Sequence, residues 1–588
     1  MSRYGWTGGF AAGGNMHDAT TLQSVDTDLL IIGGGTAGPM AAIKAKLRDP
    51  ACDVLVVDKA TVRRGGSICR GMDAYNNVVV PGVADVDSYV ESIRAMSDGI
   101  FDEKVNRVLG ERSFEVLRDL EEWGAATFPR DAAGGYIVEQ LHPFGRFLAE
   151  MRGDIKPVMA KKCRELGVRT MDRTMATRLL THEGRVTGAV LLGVRTGEVT
   201  VCRAKAVIMC TGSQGRFGLP ETGYLFGTFD CPYNAGEGWS MIYEAGGDLV
   251  NFEFLDHTAL IRDFEGPGHS TFTRHGAYLI NALGERFLFR YHELGEHAPS
   301  GLRAKAMQAE IGLGHGPLYY DLRHLSDETK TIIKDGLFSC ERPTEKAFFE
   351  LKGIDIGLQP VELVLAGPHL CGGHGLTGAL VDEWGRTTVP NLYAAGDVAS
   401  TGLGFVGAAW VFGGLAAEHA VERMADIPAP VVDMADVHAE VARIRAPLGG
   451  NPVNPPLPQP PLHNDEGNDP REVEYKLRRH IKPLLDSPKH ASRLRDLLGK
   501  MAAFRADIDR IRVTDWHDVM KVLEIRSIAD CMEFSARASL LREESRWGMP
   551  HTRLDFPERD PAWNGSYVVL RRGADGGMVV TRQPVRSA

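Results

Sequence analysis

A glycine-rich turn between two apolar runs, within residues 27–59, constrains the fold of this chain more than any other feature of its sequence. The first run, residues 29–32, leads directly into Gly33-Gly34-Gly35-Thr36-Ala37-Gly38. The second run, residues 54–57, ends on Asp58. This order is typical of a strand, a phosphate-binding turn, a helix and a second strand that carries an acidic residue at its end.

Each part of the turn has a physical task in such a motif. Gly33 permits the tight turn, Gly35 lets backbone N–H groups approach a pyrophosphate, and Gly38 lets the helix pack on its strand. The carboxylate of Asp58 can accept hydrogen bonds from an adenosine ribose. A glycine-rich turn without a ligand is the alternative, but the two strands and the acidic end favour a dinucleotide. The predicted cofactor-binding residues here are Gly33, Gly35, Thr36, Ala37, Gly38, Asp58 and Lys59.

The length and charge of the chain exclude several classes of protein. With 588 residues, of which 43% are hydrophobic, the chain is long enough for two or more domains. A formal net charge of -10 argues against a general nucleic-acid-binding protein, because such proteins use positive charge to bind phosphates. No apolar run reaches the length of about 18 residues that a membrane span needs. Residues 1–25 lack the pattern of a secretory signal, so we interpret them as a glycine-rich tail or partner arm.

The cysteines are single and widely spaced, and none of them forms a C-x-x-C pair. This spacing predicts reduced thiols and a cytoplasmic protein. An iron–sulfur cluster needs several converging cysteine ligands, so any cluster that serves this protein is predicted to lie in another polypeptide. We also predict no metal site within the chain. The cysteines are Cys52, Cys69, Cys163, Cys202, Cys210, Cys231, Cys340, Cys371 and Cys531.

The pattern of apolar runs and turns predicts an α/β protein. Strand-like alternation around the turn Glu183-Gly184 predicts antiparallel strands. The Rossmann-like domain is predicted to be discontinuous, because Ala395-Gly396-Asp397 again ends a strand on a glycine and an acid. The predicted parts are a tail at 1–25, a dinucleotide-binding domain at 26–254 and 366–430, an inserted α+β capping domain for the substrate at 255–365, a Pro-rich linker at 431–470, a helical domain at 471–550 and a C-terminal extension at 551–588.

Several motifs, taken in this order, resemble the flavoprotein subunits of the fumarate reductase and succinate dehydrogenase superfamily. The resemblance runs from about Asp28 to Trp563 and includes a similar C-terminal signature, Arg542-Glu543-Glu544-Ser545-Arg546. It implies that the cofactor is FAD. Members with covalently attached FAD carry a histidine where this chain has Gly65 or Gly66, so non-covalent binding is expected. The further cofactor-binding residues are Gly65, Gly66, Ser67, Gly71, Met72, Asp73, Ala176, Thr211, Gly212, Glu237, Gly396 and Asp397.

The N-terminal third is most similar to the alpha subunit of adenylylsulfate reductase. Residues 60–64, 71–76 and 121–124 carry this resemblance, together with Lys156-Pro157 before a helix. In that family an asparagine at the position of Asn76 lies near the flavin. The resemblance therefore makes Asn76 a candidate catalytic residue.

The capping domain supplies the first catalytic candidate. Residues 279–287 resemble the fumarate reductase loop whose arginine passes a proton to the substrate carbon, and here that arginine is Arg286. A guanidinium binds an anion through a fixed fork of donors. The alternative is an arginine that pairs the cap with a carboxylate such as Glu285 or Asp321.

Two histidines are further candidates by the same resemblance. His369 stands where the family has a histidine for the substrate carboxylate, and the alternative is a core histidine with satisfied hydrogen bonds. His257-Thr258 resembles the family's His-Pro-Thr segment, although the proline is missing and the register is one residue short.

One family feature is missing from residues 402–410. Dicarboxylate reductases carry a Gly-Ala-Asn-Arg motif here, whose arginine clamps the second carboxylate, and this segment contains no arginine. Losing the paired hydrogen bonds of this arginine to a carboxylate removes on the order of 1.5 to 3 kcal/mol of substrate-binding free energy. The sequence thus argues against fumarate or succinate as the natural substrate. Phe405, Val406 and Trp410 indicate either an apolar pocket or ordinary core packing.

The leading hypothesis is an FAD-dependent oxidoreductase that carries out two-electron redox of a small anionic substrate at flavin N5. By resemblance, it exchanges electrons with a ferredoxin-like iron–sulfur subunit in a hetero-oligomer, without a membrane span of its own and without nucleic acid. The first alternative is an adenylylsulfate reductase alpha subunit, which implies flavin–sulfite adduct chemistry. The second alternative is a non-catalytic flavin-binding scaffold for electron transfer.

Overall fold

The computed structural model describes residues 22–70, 74–142, 145–220, 228, 231–264, 270–338, 343–373, 375–449 and 468–586. Parts of the sequence prediction lie outside these residues. They are most of the N-terminal tail, the triplet Gly71-Met72-Asp73 and the Pro-rich residues 450–467.

The helices and strands follow one another along the whole described chain. The α-helices are α1 (Ala37–Arg48), α2 (Val86–Met96), α3 (Glu103–Glu122), α4 (Ile155–Glu165), α5 (Glu237–Glu244), α6 (Ser270–Arg274), α7 (Ser300–Gly312), α8 (Asp327–Gly336), α9 (Pro343–Lys352), α10 (Phe405–Arg423), α11 (Met434–Arg445), α12 (Pro470–Arg478), α13 (Ile481–Leu485), α14 (Ala491–Asp509) and α15 (Trp516–Leu541). The strands are β1 (Gln23–Ile32), β2 (Val54–Asp58), β3 (Ala74–Asn76), β4 (Glu139–His142), β5 (Gly145–Glu150), β6 (Arg169–Asp172), β7 (Thr174–His182), β8 (Arg185–Gly193), β9 (Val199–Met209), β10 (Leu249–Val250), β11 (Ala259–Ile261), β12 (Tyr278–Ile280), β13 (Leu318–Asp321), β14 (Val361–Leu365), β15 (Gly378–Ala379), β16 (Leu392–Ala394), β17 (Ser566–Arg572) and β18 (Met578–Pro584).

The central sheet has the order β6-β2-β1-β9-β8-β7 and confirms the predicted Rossmann-like core. Strand β1 pairs in parallel with both β2 and β9, and its apolar residues 29–32 are buried. The last residues of β9 pair in parallel with β16, which follows the capping region in sequence. The sheet is therefore assembled from segments on both sides of an insertion, as predicted for a discontinuous domain.

The inserted region folds as α+β. An antiparallel sheet of order β11-β14-β13-β12 is covered by helices α6 to α9 and has its own apolar core, which includes Phe272, Phe287 and Leu322. A separate sheet of order β3-β5-β4 carries Asn76. Helix α6 contacts β4, so the cap reaches the sheet that holds this residue.

Two of the predicted parts carry regular structure. Helix α11 lies within residues 431–470, and its residues Val437 and Ile444, on one helical face, are completely buried. The predicted extension 551–588 contributes strands to a sheet of order β15-β10-β17-β18. Its strand β17 pairs with β10 and so belongs to the folded body.

The C-terminal helices α12 to α15 pack together and against the nucleotide-binding part. Helix α15 is buried on most of its surface and contacts both α14 and α5. Its buried Glu524 contacts Lys59, which directly follows β2, so α15 is joined to the central sheet.

Candidate functional site

A cavity of about 330 Å³ lies where the central strands end. Its walls include the residues that follow the carboxyl ends of β1, β2, β9 and β16, which is the usual place for a ligand in an open α/β sheet. Most of the predicted cofactor-binding residues meet in this one cavity. They are Gly33, Gly35, Thr36, Ala37, Asp58, Lys59, Gly65, Gly66, Ser67, Ala176, Thr211, Gly212, Glu237, Gly396 and Asp397.

The glycine turn has the geometry that its sequence requires. Gly33 has a φ of 107°, and a Cβ there would overlap the carbonyl oxygen of Cys210. A Cβ on Gly38 would overlap the carbonyl oxygen of Gly33. Gly38 does not line the cavity; it lets α1 pack closely, which is the task assigned to it from the sequence.

The residues at the turn fit the pyrophosphate of a dinucleotide. Gly35 and Gly66 approach so closely that a Cβ on Gly66 would lie 2.6 Å from the Cα of Gly35. Thr36 caps α1 without a side-chain hydrogen bond, and the first turn of α1 holds no acidic residue. The backbone N–H groups at this helix start are therefore free of side-chain acceptors and can bind phosphate oxygens.

Asp58 holds the turn together. Its Oδ2 accepts a hydrogen bond from the Gly34 N–H at 2.7 Å, and its Oδ1 accepts one from the Ala60 N–H at 2.7 Å. The carboxylate lies at the end of β2 and lines the cavity. Its contact with a ribose stays a prediction.

Lys156 is a residue of this site that was not among the predicted cofactor-binding residues. It is 5% exposed, and its Nζ donates to the carbonyl oxygens of Gly34 and of Gly35, the latter at 2.6 Å. Burial lowers the pKa of Lys156. It lies in the first turn of α4, where the helix dipole disfavours a cation. This unusual position is the feature of the sequence that could have identified Lys156 as a site residue.

Replacing Lys156 with methionine is expected to weaken FAD binding about 10-fold or more, because two charge-assisted hydrogen bonds that orient the turn are lost. FAD affinity can be measured by the quenching of flavin fluorescence on binding. Lys161→Met on the same helix is the matched control, since Lys161 is exposed and pairs only loosely with Glu165 at 3.6 Å. Equal affinities of the two variants would contradict the assignment.

The structure brings His257 and His369 together around Asp256. The backbone N–H of His257 donates to Oδ1 of Asp256 at 2.8 Å, and Nε2 of His369 lies 3.8 Å from Oδ2. The backbones of Asp256 and His369 also exchange hydrogen bonds of 2.9 and 3.1 Å. Both histidines are buried. Two residues that are far apart in the sequence thus form one cluster.

The segment that carries His369 adjoins the cavity. The Gln214 N–H donates to the Leu370 carbonyl at 2.9 Å, and the Gly372 N–H donates to the Asp397 carbonyl at 3.1 Å. Asp397 lines the cavity. The histidine cluster is therefore connected to the cofactor wall through consecutive backbone contacts.

The ion pair of His257 with Asp486 is expected to make stability depend on pH. The Nε2 and Oδ2 atoms are 3.1 Å apart. Burial lowers the pKa of His257, but Asp486 more than offsets this, so the net pKa lies above 6.5. The stabilisation is then fully present below pH 6.5 and is lost as the pH rises through the raised pKa.

The test compares urea unfolding midpoints of the wild type and Asp486→Asn at several pH values. The difference between them should shrink as the pH rises from about 6 to about 9. A difference that stays constant with pH would assign the stabilisation to a neutral hydrogen bond and contradict the prediction.

Arg286 is engaged within the cap and does not line the cavity. Its Nε and Nη2 donate to Glu296 at 3.1 and 2.8 Å, and its guanidinium stacks 3.6 Å above the Tyr278 ring. This agrees with the alternative of an arginine that pairs with a carboxylate, although the partner is Glu296. The suggested partners Glu285 and Asp321 pair with other arginines. The catalytic role of Arg286 stays a prediction.

Asn76 lies beside the segment that lacks the family arginine. It lines a small cavity of about 20 Å³ together with Phe405, outside the lining of the main cavity. Val406 and Trp410 are buried, and Trp410 packs edge-on against Tyr75 at 5.2 Å. For Val406 and Trp410 the structure supports ordinary core packing.

Two other kinds of feature are absent from the described residues. None of the helices described is long and apolar enough to cross a membrane. In the same part of the chain, no group of three or more His, Cys, Asp or Glu side chains is placed to hold a metal ion.

Comparisons with known proteins agree with the geometry of the cavity. A family model described as FAD binding domain matches residues 28–408, and one described as fumarate reductase flavoprotein C-term matches residues 479–588. A fumarate reductase (CoM/CoB) chain from Methanothermobacter marburgensis is 28% identical over 582 residues, which cover 93% of this chain and 97% of that relative.

Two solved structures share the fold along nearly the whole chain. Adenylylsulfate reductase from Archaeoglobus fulgidus has a TM-score of 0.86 at 23% identity, covering 97% of this chain and 98% of that chain. A quinol fumarate reductase chain from E. coli has a TM-score of 0.80 at 20% identity, covering 96% and 98%. The predicted superfamily and its FAD cofactor are confirmed. The chain is an FAD-binding oxidoreductase that belongs to the family described by the FAD binding domain and carries the C-terminal domain of fumarate reductase flavoproteins.

Proposed function

We propose that this chain is the FAD-carrying component of an oxidoreductase that exchanges two electrons between a small anionic substrate and an iron–sulfur partner protein. The observation that carries the proposal is the cluster of His257, His369 and Asp256, which adjoins the cofactor wall through the backbone of Asp397. The names of the similar proteins, fumarate reductase and adenylylsulfate reductase, both refer to anionic substrates.

The chain's own residues bind and orient the substrate in this proposal. Bound FAD supplies two-electron transfer. His369 presents an imidazole that can donate a hydrogen bond to an anion. The Nε2 of His257 is already paired with Asp486, so His257 adds positive charge beside His369. Asp256 lies 3.8 Å from Nε2 of His369 and accepts from the backbone of His257, and the burial of both histidines excludes water around the reacting group.

We propose a substrate other than fumarate or succinate. Residues 402–410 contain no arginine, so a second carboxylate on that side would lack a charge-assisted fork. Arg286, the other arginine candidate, is held by Glu296. An anion with a single charged group at this end fits the present side chains better than a dicarboxylate.

The iron–sulfur partner is proposed because this chain has no closely spaced cysteines to hold a cluster. The resulting assembly is a hetero-oligomer. Its partner would donate or accept electrons through its own cluster.

The test is an anaerobic assay with reduced methyl viologen as an artificial electron donor. FAD-loaded protein is challenged in this assay with monocarboxylates, fumarate and adenylylsulfate. The reverse reaction, of sulfite plus AMP, is assayed separately with ferricyanide as the electron acceptor. We expect turnover with a singly charged acceptor to exceed turnover with fumarate. Reaction with adenylylsulfate or with sulfite plus AMP would support the adenylylsulfate reductase alternative. FAD-loaded protein that turns over none of these compounds would overturn the proposal in favour of a non-catalytic scaffold.

A matched pair of variants tests the histidine cluster. His369→Gln is expected to lower turnover at least about 10-fold while FAD content is unchanged. His419→Gln is the control, because His419 bonds to Tyr393 at 2.9 Å and lies outside the cluster around Asp256. Unchanged KM and kcat in His369→Gln would show that His369 is a core residue.

A further inference from the structure

A chain of alternating buried charges leads from the FAD cavity into the C-terminal helices. Lys59, which lines the cavity, contacts the carboxylates of Glu237 and Glu524 through its Nζ, the latter at 2.6 Å. The second oxygen of Glu524 accepts a hydrogen bond from Nη2 of Arg216 at 2.5 Å. Glu524 is completely buried, and Arg216 is 2% exposed. One carboxylate on α15 therefore contacts two cations of the nucleotide-binding part.

The chain continues into α12. Nε of Arg216 lies 3.1 Å from Oε1 of Glu474, and the same oxygen lies 2.9 Å from Nη1 of Arg478. Together with Lys59, Glu237 and Glu524, these residues form three cations and three carboxylates. Their charges balance, which is the condition under which buried ions are tolerated.

The cations of this chain also hold backbone carbonyls of the cavity wall. Lys59 donates to the Tyr233 carbonyl, and Nη1 of Arg216 donates to the Pro232 carbonyl at 3.1 Å. Pro232 and Tyr233 line the cavity. The position of this wall thus depends on two side chains that Glu524 holds in place.

The same chain reaches the segment that carries His369. Nη2 of Arg478 donates to the Gly218 carbonyl at 3.0 Å, and the Gly218 N–H donates to the Pro368 carbonyl at 2.8 Å. Pro368 directly precedes His369. The charge chain therefore lies against both the cofactor wall and the histidine segment.

Glu524 has little freedom to move. A Cβ on Gly236 of the cavity wall would lie 2.6 Å from Sγ of Cys531, so α15 packs tightly against the start of α5. Burial raises the pKa of Glu524, but Arg216 and Lys59 more than offset this, so the net pKa is lowered and the carboxylate stays charged.

We propose that Glu524 is a positioning residue of the FAD site, which acts through Lys59 and Arg216 to hold the wall of residues 231–237 against the cofactor. FAD affinity is thereby coupled to the docking of the C-terminal helices. This coupling affects the binding of FAD and does not depend on which substrate the enzyme uses.

The test measures FAD binding by Glu524→Gln in the full chain. The dissociation constant for FAD is expected to rise about 10-fold to 100-fold, because the wall loses the anion that holds its two cations. Glu533→Gln is the matched control on the same helix. Glu533 bonds to Arg505 at 2.9 Å and to Arg537 at 2.8 Å and contacts no residue of the cavity wall among its described partners.

A general loss of stability would affect both variants, whereas only Glu524→Gln should reduce the increase in Tm that FAD produces. Wild-type affinity in Glu524→Gln, or an equal loss in Glu533→Gln, would overturn the proposal.

A double variant, Lys59→Met with Glu524→Gln, adds a second and independent readout. It removes one charge of each sign and so serves as the test if Glu524→Gln alone does not fold. The double variant should bind FAD more weakly than Lys59→Met, because Arg216 also loses its anion, but by less than the product of the two single losses. Effects of the two substitutions that simply multiply would contradict an action through Lys59.

Discussion

Replacing Arg542 with methionine is expected to destabilise the protein by about 3 to 5 kcal/mol, the cost of leaving buried carboxylates without their cation. Arg542 is completely buried, and its donors reach Glu253 at 2.6 Å, Glu544 at 2.9 Å and the Ser566 carbonyl at 3.1 Å. Glu253 and Glu544 are also completely buried. The guanidinium further packs on the ring of Trp563 at 4.7 Å.

The effect is large because this cluster joins three parts of the chain. Glu253 follows β10, Arg542 ends α15, and Ser566 begins β17. Burial raises the pKa of Glu253, so the loss of Arg542 would drive this carboxyl toward its neutral form. The measurement is the midpoint of urea unfolding, followed by tryptophan fluorescence.

Two further variants decide whether the lost charge balance is the cause. Arg542→Met with Glu253→Gln should recover part of the stability, since one unpaired carboxylate is removed. Arg423→Met should change stability by less than about 0.5 kcal/mol, because Arg423 is exposed and pairs with Asp426 at 3.6 Å. Equal midpoints of Arg542→Met and Arg423→Met would contradict the prediction.

The second large effect is expected for Gly33→Ala, which should abolish measurable FAD binding and lower the stability of the apoprotein. The φ of 107° is strained for any residue with a side chain, and the new Cβ would overlap the Cys210 carbonyl oxygen. Because that oxygen belongs to the backbone after β9, relief requires β1 and β9 to move apart at the cavity. FAD content after purification and the Tm of the apoprotein measure the two effects.

Gly35→Ala separates folding from cofactor binding at the same turn. Its Cβ would lie 3.5 Å from the Cα of Gly66, which is an ordinary contact, so the apoprotein should keep its Tm. FAD affinity should still fall, because the added methyl group stands where the pyrophosphate approaches the backbone. Similar apoprotein stability of Gly33→Ala and Gly35→Ala would refute the steric explanation for Gly33.

Helices, strands and turns whose structure depends on residues adjacent in the sequence could be predicted from the sequence. The turn Glu183-Gly184 joins β7 and β8, and both residues have a positive φ, of 49° and 75°. By contrast, the sequence did not indicate helix α11 within the region interpreted as a linker, because its buried face is short and packs on the distant elements β7 and α15. Local signals therefore identified elements with strong turns and failed where burial alone stabilises a helix.

In the candidate site too, some residues could be identified from contiguous sequence and others depend on distant segments. The cofactor cavity could be predicted because its glycines and Asp58 have tasks that are set by backbone geometry at contiguous positions. Arg286 was selected by resemblance, and its sequence neighbourhood could not show that Glu296 accepts from its Nε and Nη2. The position of Asp256 beside His369 was also not evident, since it depends on two distant segments lying side by side.

By itself, the sequence determined that this protein binds a dinucleotide and that its core is an α/β sheet built from separate segments. Those properties follow from short apolar runs and from glycines whose conformations no other residue adopts easily. The tertiary structure alone decided which charges meet, such as Lys59 with Glu524 across 465 residues. With 67 basic and 77 acidic residues in the chain, the identity of a charged residue does not specify its partner. Only the packing of distant segments brings one carboxylate within reach of one cation.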